Sequence, residues 1–102
     1  MGINIEWSSL AENQLLNIYD YYSVNVSSTT AKRIINKIVK RVEILYNNPL
    51  SGPREKLLSE YPEDFRYLVE SNYKIIYWKE NELITIASVF DCRQNPEEIK
   101  NI

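Results

Sequence analysis

The stretch Phe65-Arg66-Tyr67-Leu68-Val69-Glu70-Ser71-Asn72-Tyr73-Lys74-Ile75-Ile76-Tyr77 sets two runs rich in aromatic and β-branched residues on either side of a polar break. Such runs read as paired strands, with the turn at Ser71-Asn72. A two-residue primed turn prefers glycine, and none is present here. The turn chemistry therefore predicts a three-residue loop, Glu70-Ser71-Asn72, with Asn72 left-handed. Val69 then faces Tyr73, Leu68 faces Lys74 and Arg66 faces Ile76. That register puts Phe65, Tyr67, Val69, Tyr73, Ile75 and Tyr77 on one face, the one expected under the helices. Arg66, Leu68, Lys74, Ile76 and Trp78 take the other. Because strand side chains alternate, a loop one residue shorter would part Arg66 from Lys74.

Downstream, residues 82–90 form a third strand of this set, apolar at nearly every position from Leu83 to Phe90. Apolar character on both faces marks a central strand, or one whose second face a partner covers. Upstream, Pro49, Gly52, Pro53 and Pro62 make residues 49–64 a loop with room for one helical turn. Before it lie two helical patterns. Ala11, Leu15, Ile18, Tyr22 and Val26 recur at helical spacing, as do Ala31, Ile35, Ile38, Val42 and Leu45. Ser8 or Ser9 offers the first N-cap, with Ser9-Leu10-Ala11-Glu12 fitting a capping box. The Ser27-Ser28-Thr29-Thr30 run caps the second helix, and Asn47-Asn48-Pro49 ends it. Ile3, Ile5 and Trp7 alternate with polar residues as a short opening strand. The order β-α-α-β-β-β predicts an α+β fold, a helix hairpin packed on a mostly antiparallel four-stranded sheet.

With 102 residues, 44% of them hydrophobic and 25% charged, the chain is the size of one compact domain spanning 1–102. No apolar run is long enough to span a membrane, and the N-terminus lacks the basic and apolar regions of a secretory signal. The single cysteine, Cys92, cannot form an internal disulfide, which makes the cytoplasm the expected compartment, and it reads as a buried, inert thiol. The complete lack of histidine excludes a His general base and a Ser-His-Asp triad, and no metal site or cofactor is expected. Net charge is −2, but residues 32–56 carry seven cations against two carboxylates. This basic segment is either an anion-facing surface or an ordinary solvated helix face. Tyr19, Tyr21 and Tyr22 encircle part of the first helix, so at least one faces outward, where it suits a partner contact.

Taken together, several pieces resemble the RelE/ParE superfamily of toxins from bacterial type II toxin–antitoxin systems. They are the opening strand to Trp7, Ala11 and Leu15 before Ile18-Tyr19-Asp20-Tyr21-Tyr22, then Ala31 with Ile35 and Ile38, and Leu45, Pro49 and Gly52. The strongest are Phe65-Arg66-Tyr67-Leu68-Val69, Tyr73-Lys74-Ile75-Ile76-Tyr77, Ile86, Val89-Phe90 and Arg93-Gln94-Asn95-Pro96. The resemblance covers nearly the whole chain. It implies the RelE/ParE-like fold and a growth-inhibiting toxin neutralised by a cognate antitoxin, as in plasmid stabilisation modules. The assemblies it implies are a homodimer or a toxin–antitoxin hetero-oligomer.

The superfamily has two main modes. RelE-like members are ribosome-dependent, metal-independent mRNA endoribonucleases, and ParE-like members bind DNA gyrase. The nuclease reaction needs cations around the phosphate and groups that move protons to and from the ribose and the leaving oxygen. For the RelE-like mode the resemblance implies Arg66, Lys74 and Arg93 as catalytic residues. Leu68, however, stands where a second lysine belongs, and no tyrosine follows residue 93. These departures favour the ParE-like mode, with gyrase as partner in place of the ribosome and mRNA. An inactive, antitoxin-binding relic is the second alternative. The bland role for the three cations is surface pairing with Glu70, Glu80 and Glu82.

Overall fold

The computed structural model describes residues 2–102. Strand β1 (Asn4–Trp7) leads into helices α1 (Ser9–Asn25) and α2 (Ser28–Val42), followed by strands β2 (Arg66–Glu70), β3 (Tyr73–Glu80) and β4 (Leu83–Asp91). The sheet order is β1-β4-β3-β2, with β1 parallel to β4 and the other pairs antiparallel. The predicted α+β architecture is therefore the observed one, and the apolar β4 is central. No helix among the described residues is long and apolar enough to cross a membrane.

Ser8 caps α1, its Oγ accepting from the Ala11 N–H at 3.1 Å, so the cap sits one residue before the box drawn at Ser9. Ser27 caps α2 through the Thr30 N–H. Ala31, Ile38, Val42 and Leu45 are buried as the spacing requires and Ile35 is half-buried, whereas Val26, expected on the apolar stripe, lies beyond the helix and is exposed. A short 3-10 turn at Glu43–Tyr46 follows α2 ahead of Asn47-Asn48-Pro49, and another at Lys56–Leu58 supplies the helical turn expected in the loop.

The β2–β3 register differs from expectation. Glu70 pairs with Tyr73, Val69 with Lys74, Leu68 with Ile75 and Arg66 with Tyr77, around a two-residue loop. Ser71, not Asn72, takes the left-handed φ of 54°. Asn81 does the same at 55° in the next two-residue loop. The absence of glycine did not force a longer loop, because one residue at positive φ costs only about 1–2 kcal/mol. Sheet pairing over the full length of the strands offsets that cost.

The shift turns β2 over. Leu68, Tyr73, Ile75 and Tyr77 pack with Ile84, Ile86 and Val89 of β4 against Ala11, Ile38, Val42 and Leu45 under the helices. Phe65 and Tyr67, expected on that face, instead join Ile76, Trp78, Ala87 and Phe90 on the opposite one. The chain covers this second face itself, with Leu58 from the loop and Ile99 from a terminal 3-10 segment, Pro96–Asn101.

Tyr77, fully buried, anchors the long loop: its hydroxyl accepts from the Gly52 N–H at 3.0 Å. A Cβ on Gly52 would stand 2.3 Å from the Tyr67 carbonyl oxygen, so glycine is required here by close approach. Gly52→Ala should destabilise the fold by about 2 kcal/mol through overpacking. Tyr77→Phe should cost about 1–2 kcal/mol by leaving the Gly52 N–H unpaired. Urea unfolding of each variant measures both, and a neutral Gly52→Ala would contradict the close approach.

Candidate functional site

The three cations named from sequence lie apart. Arg66 is on the helix-covered face, where its Nη1 donates to the carbonyls of Gly52 (2.9 Å) and Leu50 (3.3 Å). Its Nε meets Asp64 Oδ2 at 3.0 Å, and Arg54 reaches the other oxygen of the same carboxylate at 3.1 Å. Lys74 is on the second face, its Nζ 2.8 Å from Glu55 Oε2 and 4.2 Å above the Tyr67 ring. Glu55 is itself 5% exposed. The partners are thus Asp64 and Glu55, both on the long loop, rather than Glu70, Glu80 and Glu82. Arg93 lies just beyond β4, its guanidinium forked onto Asp91: Nε donates to Oδ1 at 3.0 Å and Nη2 to Oδ2 at 2.8 Å.

Arg93 borders a cleft of about 360 Å³ between the second half of α1 and the end of β4. Its origin is a hand-over along one edge of β4. Strand β1 pairs only as far as Trp7 opposite Ile86, and the β3–β4 register then shifts at a bulge by Ala87. Beyond that point α1 side chains take over. Ser8 Oγ donates to the Ala87 carbonyl at 2.9 Å, and Gln14 Oε1 accepts from the Val89 N–H at 2.6 Å and from Ser88 Oγ at 3.2 Å. Further along α1, Asn17, Tyr21 and Tyr22 face Tyr73, Asp91 and Arg93 across the cleft. Tyr21 and Tyr22 meet edge to face at 5.1 Å, and Tyr21 is 57% exposed, the outward tyrosine the helix pattern required.

Burial, and next to it the Tyr22 hydroxyl, pushes the Tyr73 phenol well above its ordinary range, so it stays protonated at neutral pH. The hydrogen bond from Arg93 holds the Asp91 carboxyl below the usual carboxylate range, and Asp91 in turn raises the guanidinium. The cleft therefore presents phenol hydroxyls, side-chain amides and a neutralised ion pair. That set offers hydrogen bonds and aromatic contact. Cys92 is exposed, not buried as expected, and packing around its sulfur raises its pKa rather than activating it. Among the described residues no group of three or more Cys, Asp or Glu side chains could hold a metal ion.

Gln14, Asp91 and Glu55 escaped the sequence reading. Asp91-x-Arg93 at a strand end is a usable local signal for a fork. Glu55, one acid among the charges of a loop, carries none.

A family model for the ParE toxin of the type II toxin–antitoxin system parDE matches residues 5–96. The chain belongs to the ParE toxin family. A solved structure from a chromosomal ParDE toxin–antitoxin system of P. aeruginosa superposes with a TM-score of 0.73 at 23% identity. The match covers 87% of this chain and 95% of that one, and shows a shared fold. A search of curated proteins finds no match. A ParE-family toxin built on this sheet thus keeps Arg66 and Lys74 on opposite faces.

Lys74→Ala leaves the Glu55 carboxylate buried without its cation and should destabilise the chain by about 3 kcal/mol, with Lys74→Ala/Glu55→Gln recovering part of that loss in urea unfolding. Asp91 bears on acid stability. Its folded pKa lies below its unfolded value of about 3.9, so its contribution is complete above that value and disappears as pH falls through the folded pKa. Asp91→Asn should therefore flatten the dependence of Tm on pH below about 4, as thermal melts across the acid range would show.

Proposed function

We propose that this ParE-family toxin inhibits growth in the cytoplasm by binding DNA gyrase, not by cutting mRNA, and that a cognate antitoxin neutralises it. The observation that carries this reading is the dispersal of Arg66, Lys74 and Arg93. A ribonuclease of the RelE type needs its cations converged on one phosphate. Here two lie on opposite faces of the sheet and all three are held by carboxylates of the same chain. An inhibitor that acts by binding needs only a recognition surface, and the tyrosine-lined cleft beside Arg93 suits that role.

For the antitoxin, the helix hairpin is the better surface than the edge of β2. That edge is already occupied: Glu55 N–H bonds the Phe65 carbonyl, Tyr67 N–H bonds the Pro53 carbonyl, and Arg41 Nε reaches the Val69 carbonyl. Leu15, Leu16, Tyr19 and Ile35 line a shallow apolar depression of about 340 Å³ across the two helices. Leu16 there is 61% exposed, the kind of surface a partner's apolar residues cover.

Induction of the toxin alone in bacteria, with pulse-labelled protein synthesis and chromosome integrity followed side by side, tests the target. Broken DNA and filamentous cells with continuing translation are expected. Translation that collapses within minutes over intact DNA would assign the chain to the RelE-like mode. Undisturbed growth would favour the inactive, antitoxin-binding relic.

A further inference from the structure

On the side of α2 turned away from the core, Lys32, Arg33, Lys37 and Lys40 are all exposed. None of them forms an ion pair among the described residues, whereas Arg54, Arg66, Lys74, Arg93 and Lys100 each do. Residues 28–42 hold these four cations and Arg41 and no carboxylate, while the rest of the chain holds seven cations and fourteen carboxylates. A chain of net charge −2 thus concentrates unneutralised positive charge on one helix face. At 3.6 residues per turn, Arg33, Lys37 and Lys40 fall within about 60° of arc and span about 10 Å of the axis.

A face of this kind calls for a polyanion, and its other residues narrow the choice. Protein interfaces are built on apolar or aromatic anchors, and lysine is depleted at their centres. The exposed large apolar side chain of α2 itself, Val39, lies at the edge of this face beside Lys32, and the residue among its cations is Asn36. Single-stranded nucleic acid would want aromatic platforms for its bases, and residues 28–42 contain no aromatic residue. A duplex phosphate backbone asks only for spaced cations and amide donors on a rigid support. We infer that the outer face of α2 is a sequence-independent contact for the phosphate backbone of duplex DNA, made by Lys32, Arg33, Lys37 and Lys40 with Asn36. The contact is separate from the cleft beside Arg93, and it stands whether or not gyrase is the cellular target.

Fluorescence anisotropy of a labelled mixed-sequence duplex of about 25 base pairs with the purified chain, across a salt series, tests it. Four phosphate contacts give a log–log salt slope of about −3.6, an affinity loss of about 100-fold between about 50 and 200 mM salt. Lys32→Gln/Arg33→Gln/Lys37→Gln/Lys40→Gln should weaken binding about tenfold or more and flatten the slope, with an unchanged melting temperature because these side chains make no ion pairs. Arg54→Gln/Lys56→Gln/Lys79→Gln/Lys100→Gln removes the same charge elsewhere and should preserve most of the affinity. Absence of duplex binding by the unmodified chain at about 50 mM salt would overturn the inference, as would equal losses in the two variants. Tighter binding of the single strand would overturn it too. Competition by polyglutamate as effective as that by unlabelled duplex would move the face to an acidic protein partner.

Discussion

The parity of the two-residue loop at Ser71-Asn72 governs most of what the sheet presents. With Glu70 opposite Tyr73, every side chain of β2 is committed to a face. Leu68 enters the core beside Ile75 and Tyr77, and Phe65 and Tyr67 pass to the second face. Arg66 is carried to the helix-covered face, where it binds two carbonyls and Asp64. Lys74 is carried to the other side, where it meets a nearly buried carboxylate. One residue more in the turn would exchange all of these environments at once, because the side-chain period of a strand is two.

The long loop between the helices and β2 completes that arrangement. It supplies Asp64 to Arg66, Glu55 to Lys74 and the Gly52 N–H to the buried Tyr77 hydroxyl. It also lies along the outer edge of β2, pairing at Arg54 and Arg66, so an otherwise open strand edge is covered by the chain's own backbone. Cations that could have served chemistry thereby serve as ties between a loop and a sheet. The cations of α2, which among the described residues form no ion pair, are left available to something outside the chain.

Surface clefts arise where regular pairing stops. Strand β1 is short, and past it α1 satisfies β4 only at Ala87, Ser88 and Val89, through Ser8 and Gln14. The diverging end of α1 leaves the cleft lined by Tyr21, Tyr22 and Tyr73. Helix α1 is less sharply amphipathic than α2, and its exposed Leu16, Tyr21 and Val24 reflect that. A helix with apolar residues beyond its core stripe has more surface to bury than its own sheet offers.

The element order, the helix spacings, the centrality of β4 and the superfamily were all legible in the sequence. The first three rest on local periodicity and on the volume of apolar residues, which no distant contact can change, and the superfamily rests on the resemblance of several motifs taken together. The register of one turn, the covering of the second face by Leu58 and Ile99, the burial of Glu55 and the partners of the three cations were not. Each depends on residues far apart in the chain meeting. The turn shows why local chemistry was an insufficient guide. A preference worth about 1–2 kcal/mol at one turn residue was outweighed by the packing of a whole strand, and only the folded sheet compares the two.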